Sequence, residues 1–213
     1  MHGERMVDRC SARHLDRGAL MKEQMDDFYT QLSPDQIPWE NEVPLAALVE
    51  LVESGLVSPC RAVDLGCGPG NFAIYLAKQG FDVTGIDISS AAIQQARRNA
   101  RAASVRCSFI AADLVTNSDV VAKFRDNIAF AHDWEILHHY FPEQREQYVQ
   151  NVHALLKADG KYLSACFNEQ DLQFGGVGKI RETSIGTRLY FSSEDEMRAL
   201  FSPWFTIMDL KTV

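Results

Sequence analysis

Paired cysteines, long apolar runs and an excess of basic charge are all missing from this chain. Its five cysteines (Cys10, Cys60, Cys67, Cys107 and Cys166) are odd in number, scattered, and form no C-x-x-C pair. That excludes a disulfide framework, argues against a thiolate zinc site, and points to reduced thiols in a cytoplasmic protein. No metal is expected. No apolar run approaches membrane-spanning length and the first residues are polar, so neither a membrane segment nor a signal sequence is expected. A formal net charge of −8 offers no broad basic face to phosphates, and nucleic acid is not expected as a partner. Arg97, Arg98 and Arg101 do lie together, but on a helix they read best as a solvated outer face. Internal repeats and low-complexity segments are absent as well.

What is present suits one α/β domain with an N-terminal extension: 213 residues, 46% hydrophobic and 23% charged. Residues 1 to about 10 read as a disordered lead, and 12–29 as a helix packed across the domain rather than within its core. Pro34 and Pro38 rigidify a loop in which Trp39 either closes the core's edge or covers a pocket. Pro44 then starts a helix whose Leu45, Leu48, Val49 and Val52 form one stripe, with Gly55 ending it. The chain divides accordingly into an extension and lid over 1–43 and a main domain over 44–213.

From Cys60 onward, strand-like runs at 60–65, 81–86, 105–110, 127–133, 159–167 and 204–212 alternate with helical ones. The helical stretches are 71–79, 90–103, 116–125, 142–156 and 192–201. Such alternation predicts a Rossmann-like fold, a mostly parallel sheet with right-handed crossovers and helices on both faces. Ligands then sit outside the carboxyl ends of the strands, so the residues just past each strand carry the function.

Past the first strand lies the turn Asp64-Leu65-Gly66-Cys67-Gly68-Pro69-Gly70, followed by Asn71. A strand turning through glycines into a helix gathers bare N–H groups and the helix's positive end at one point, which suits a polar, partly anionic ligand. Past the second stands Asp87, able to accept from both hydroxyls of a ribose or simply to cap the next helix. Past the third is Ala111-Ala112-Asp113-Leu114, where Asp113 can accept from an exocyclic amine while Ala112 and Leu114 flank the ring. Past the fourth comes His132-Asp133-Trp134-Glu135-Ile136-Leu137-His138-His139, whose spacing matches no trusted zinc pattern.

Four stretches, Asp64 to Gly70, Gly85-Ile86-Asp87-Ile88-Ser89, Ala112-Asp113-Leu114 and Asp133 to His139, resemble in order and spacing the motifs of class I S-adenosylmethionine-dependent methyltransferases. The Trp39 region resembles the lead-in of thiopurine- and thiol-methyltransferase-like members. The resemblance implies S-adenosylmethionine as cofactor, S-adenosylhomocysteine as product, and a small-molecule methyl acceptor. It places Gly66, Gly68 and Gly70, with Asp64, Cys67 and Asn71, near the methionine part. It places Asp87 at the ribose beside Ile88 and Ser89, and Asp113 and Leu114 at the adenine. Asp133 and Trp134 would border the sulfonium and the acceptor. Members of this class usually finish with a β-hairpin, so a chain ending in the single strand 204–212 implies a last antiparallel strand missing or truncated, or a gap covered by a partner chain, a second copy included, or by a local rearrangement.

A nicotinamide dehydrogenase also needs glycines and an acid ending strand two, but its G-x-G-x-x-G would put glycine at Asn71. An inactive cofactor-binding relative is a third reading. For methyl transfer the protein's task is alignment, with a base needed only if the acceptor arrives protonated. His138 and His139 are the first bases to consider, with packing or backbone bonding as the alternative for each. The acceptor pocket draws on Trp39, Tyr140 and the long connector 168–190, where Arg181, Arg188 and Tyr190 either meet an anionic substrate or decorate a solvated excursion. No Asn/Asp-Pro-Pro-Tyr stretch stands at the fourth strand, which disfavours amino-methylation of bases.

Overall fold

The structure, a computed structural model, describes residues 9–37 and 46–212, with side chains from residue 18 onward except Pro34. Trp39, Pro44 and the expected boundary at 43/44 lie outside the described residues. Five strands form one parallel sheet: β1 (Arg61–Leu65), β2 (Asp82–Asp87), β3 (Cys107–Ala111), β4 (Ile128–Trp134) and β5 (Leu156–Ala165). Their order is β3-β2-β1-β4-β5, so the direction of winding reverses between β1 and β4. That reversal opens a crevice at the carboxyl ends of the two strands.

Both faces of the sheet are covered, which is why the central strands read as nearly unbroken apolar runs. Side chains alternate along each strand. Ala62 and Phe130 point to one core with α2 (Ala46–Glu53), α3 (Asn71–Lys78) and α4 (Ser90–Ala102). Val63, Leu65 and Ala131 point to the other, with α5 (Ser118–Phe124), α6 (Pro142–Leu155) and α7 (Glu194–Phe201). Pro142 opens α6 where its missing N–H costs nothing, and a capping box between Ser193 and Glu196 opens α7.

The helix expected over 12–29 is α1 (Arg9–Gln31). It is fastened to the start of α4 through Asp26, whose Oδ1 accepts from Ser89 Oγ at 2.7 Å and from Ala91 N at 3.0 Å. Within the connector, β6 (Ile180–Glu182) and β7 (Arg188–Tyr190) form an antiparallel hairpin. The expected strand over 204–212 does not form. Trp204 and Phe205 instead lay their rings against His153 of α6, and Phe205 also against Tyr162 of β5. Thr212 is tied to Asn168 and Glu194. Alternating apolar residues there serve packing rather than pairing.

Candidate functional site

The glycine turn is pinned before any ligand arrives. Gly66 N and Cys67 N both donate to Ile86 O at 2.7 and 3.1 Å, and Gly70 N donates to Cys67 O at 2.8 Å. Gly66 and Gly68 have φ of 66° and 49°, in the left-handed region that favours glycine. Space is as restrictive as torsion. A Cβ on Gly66 would stand 1.9 Å from Ile136 Cδ1, and one on Gly68 would stand 2.9 Å from the Tyr29 hydroxyl.

Asp87 closes the turn from β2: its Oδ2 accepts from Gly68 N and its Oδ1 from Ser89 N, each at 2.8 Å. Burial pushes this carboxyl up to about 6 against the pull of those two donors. Asp87, Ile88, Gly68, Asn71, Leu114 and Trp134 line one cavity, which Met21, Met25 and Tyr29 of α1 roof over. Gly66 and Cys67 belong to its floor, where burial keeps the Cys67 thiol protonated. Trp134 Nε1 is buried with no partner among the described residues.

An adjoining cleft of about 760 Å³ shares Met21, Met25, Ile88, His139 and Tyr140 with the first. Asp113, Phe141, Arg188 and Tyr190 line it, and its volume falls in the usual range for small-molecule pockets. Asp113 is shaped by its own loop, accepting from Val115 N and Thr116 Oγ1. Gly18 of α1 crosses directly above it, where a Cβ would come 3.1 Å from Asp113 Oδ2.

Several residues expected at the ligand lie elsewhere. Asp64 is buried beneath the turn beside His132, with Oδ1 to Nδ1 at 3.3 Å. Gly70 caps α3, and Ser89 caps α4 by accepting from Ala92 N. Asp133 is fully buried and takes hydrogen bonds from the hydroxyls of Tyr148, Tyr162 and Ser164. It supports the cavity wall through Tyr148 and does not line either space. Arg181 is turned inward, donating to the carbonyls of Glu169, Asp171, Gln173 and Gly178 and stacking on Phe191. Its guanidinium staples the connector instead of meeting a substrate anion.

His138 and His139 sit on a 3₁₀ turn (Leu137–His139) rather than on a helix start. His138 stacks on Phe167, away from both spaces, and burial holds it well below the usual imidazole range. His139 lines both spaces, and burial lowers it to about 4. Neither accepts a proton readily at neutral pH. Reading the sequence missed Met21, Met25, Tyr29 and Tyr148 on the walls, because nothing local marks a residue that meets the site from a distant helix. It also passed over Glu135 as a ligand-facing group.

Comparisons with known proteins agree with this geometry. A family model described as a methyltransferase domain matches residues 62–160. Over 109 residues the chain is 36% identical to a tRNA (uracil(54)-C(5))-methyltransferase of Pyrococcus horikoshii, covering 51% of this chain and 26% of that protein. The chain thus spans about a quarter of that relative's length. Over 197 residues it is 24% identical to a 2-heptyl-1-hydroxyquinolin-4(1H)-one methyltransferase of Mycobacteroides abscessus, covering 89% and 79% of the two chains. A solved structure concerning conversion of a disulfide bond into a thioacetal group in echinomycin biosynthesis superposes with TM-score 0.74 at 25% identity, covering 89% of this chain and 81% of that one. A Burkholderia thailandensis 1,6-didemethyltoxoflavin-N1-methyltransferase, solved with S-adenosylhomocysteine, superposes with TM-score 0.66 at 19% identity, covering 95% and 81%.

One expectation is overturned. Relatives named for tRNA and 23S rRNA methylation mean that nucleic acid is not excluded as a partner. Whole-chain charge does not decide the matter, since an acceptor is held by local surface and most of each such relative lies outside the match. Nothing in the comparisons supports a nicotinamide dehydrogenase. Residues 62–160 match a methyltransferase domain, and the chain has the fold of, and is similar to, S-adenosylmethionine-dependent methyltransferases.

Proposed function

We propose that this chain transfers a methyl group from S-adenosylmethionine to a small-molecule acceptor held in the cleft beside the glycine turn. One observation carries the reading. The Gly66–Gly68 turn, Asp87 and the orphaned Trp134 Nε1 converge on one cavity that opens directly into an aromatic-walled cleft. The cavity fits the cofactor by chemistry: glycines without side chains let a ligand approach the main chain, Asp87 offers remaining lone pairs to ribose hydroxyls, and Leu114 on its wall suits adenine, with Asp113 standing in the adjoining cleft. Bound there, the cofactor would supply a methyl group made electrophilic by its sulfonium. The protein's share is to align the acceptor and exclude water. In this reading α1 is the lid of the expected N-terminal extension, since its methionines roof both spaces. Tyr140, Phe141 and Tyr190 would hold a flat, partly apolar acceptor, with Arg188 at the rim for a polar group.

A relative that matches most of both chains is named for a small hydroxylated heterocycle, which favours that class. Calorimetric titration with S-adenosylmethionine and with NAD, followed by a labelled-methyl screen of metabolites and of total RNA, tests the proposal. Binding of the sulfonium cofactor and label in a metabolite are expected. Binding of NAD alone would overturn the cofactor, and label confined to RNA would overturn the acceptor class.

A further inference from the structure

We infer that Glu135 is the proton acceptor for the methyl acceptor, a role resting on the function proposed above. Glu135 follows β4 directly, and its N–H still donates to Ala165 O at 2.9 Å, one step beyond the last paired residues of β4 and β5. Its backbone then turns through φ of 60°, a left-handed conformation costly for any residue with a Cβ. That turn swings Ile136 under Gly66 and puts the Glu135 side chain on the cavity wall.

Nothing in the resting fold rewards a glutamate there. The carboxyl forms no hydrogen bond or ion pair among the described residues. Burial, followed by the like charge of Asp171 from the connector, pushes it up to about 7. A strained, desolvated and unpaired acid is a feature that function, not stability, explains. The other titratable groups facing the same cavity are Cys67 from the glycine turn, kept protonated by burial, Asp87 from the end of β2, Tyr29 from α1, His139 from the 3₁₀ turn, Tyr140 just after it, and Tyr148 from α6. Asp87 is engaged by two backbone donors, and His139 holds a proton only in acid. Burial, together with nearby carboxylates, keeps Tyr140 and Tyr148 protonated. That leaves Glu135 as the group poised near neutrality.

The step is a simple transfer. The acceptor's O–H, N–H or S–H bond breaks, its electron pair stays on the nucleophile, and a new O–H bond forms on a Glu135 carboxyl oxygen. The proton leaves to solvent after turnover, matching the single proton that methylation of a protonated acceptor releases.

Two variants separate this role from a merely structural one. E135G relieves the left-handed turn, so it should melt several degrees higher than the parent while losing the carboxyl; E135Q keeps the size. In ligand-free protein, carboxyl-labelled glutamate followed by NMR should show one group titrating near pH 7 that disappears in both variants. Calorimetric titration with S-adenosylmethionine, whose cavity Glu135 lines, is the control that both variants still bind the cofactor, so that kcat is read at saturation. With 2-heptyl-1-hydroxyquinolin-4(1H)-one as probe, kcat should fall by about 10²–10⁴ and the pH-rate limb near 7 should vanish, the scale of a lost general base. An ordinary titration of Glu135, or an E135G variant that methylates the probe at the parental rate, overturns the inference. If the parent leaves this probe untouched, the same rate comparison is made with the metabolite that the labelled-methyl screen returns. Failure of the parent to bind the cofactor would sink the proposed function, and the titration, which uses no cofactor, keeps the two failures apart.

Discussion

Asp26 and Ser89, 63 positions apart in the chain, share a 2.7 Å hydrogen bond that fastens the roof helix α1 to the first turn of α4. The same Ser89 receives Ala92 N on its hydroxyl and gives its own N–H to Asp87. Roof, cap and floor of the cavity therefore meet at one residue.

Cutting that link should loosen the roof without unfolding the sheet. Burial alone would raise the Asp26 carboxyl, but the Lys22 ammonium and the donors Ala91 N and Ser89 Oγ outweigh it and hold it below the usual range. Asp26→Ala should weaken binding of S-adenosylmethionine by about 1–2 kcal/mol, roughly the worth of a charge-assisted hydrogen bond at a part-exposed site. The folded state prefers this acid ionised, so its contribution is complete above the unfolded carboxyl range and fades as pH falls through it. Calorimetry at pH 7 on the variant, with proteolysis of α1 as the structural readout, checks the expectation.

Asp87 carries the opposite sign. Its folded value of about 6 lies above an ordinary aspartate, so between about pH 4 and 6 the fold binds more protons than the unfolded chain. Ligand-free stability should drop as pH rises through that window, by on the order of 2–3 kcal/mol. Asp87→Asn should flatten the dependence in thermal melts. Ribose hydroxyls donating to the carboxylate favour its charged form, so cofactor affinity should climb as pH passes 6, and the variant should lose that climb.

Gly66→Ala should be severe. The new methyl would collide with Ile136 and sit at a positive φ. Overpacking and left-handed strain together give a loss of about 2–4 kcal/mol in denaturant melts. Pairing it with Ile136→Ala should return part of that loss, because the collision goes while the torsion stays.

Arg181→Ala tests the staple. It removes the Arg181 donors from four connector carbonyls, of which Gln173 O keeps Gly176 N, and removes the stack on Phe191. Limited proteolysis should then cut within 168–180, with affinity for S-adenosylmethionine unchanged. Lost cofactor binding in a folded variant would return Arg181 to the site.

The alternation of strands and helices was legible because each central strand is buried on both faces, and the turn was legible because glycine is what a left-handed bend beside bare main chain requires. The acids at 87 and 113 could be placed by counting to strand ends. Other features depend on contacts between residues far apart in the chain. Arg181 looks like a surface cation until four carbonyls close around it. The 204–212 segment has the period of a strand but finds aromatic neighbours instead of a partner edge. His138 and His139 follow a strand into the right region, yet a tight 3₁₀ turn buries both rings. Glu135 carries a signal only in its torsion, which a sequence does not print.

Met21 and Met25 stand in the walls of both spaces, so the inner one is reached by displacing the helix that shapes the outer one. Loading should then be compulsory in order, donor first and nucleophile second, with the spent donor departing last. Initial-rate kinetics would register this as S-adenosylhomocysteine competing with S-adenosylmethionine but not with the acceptor.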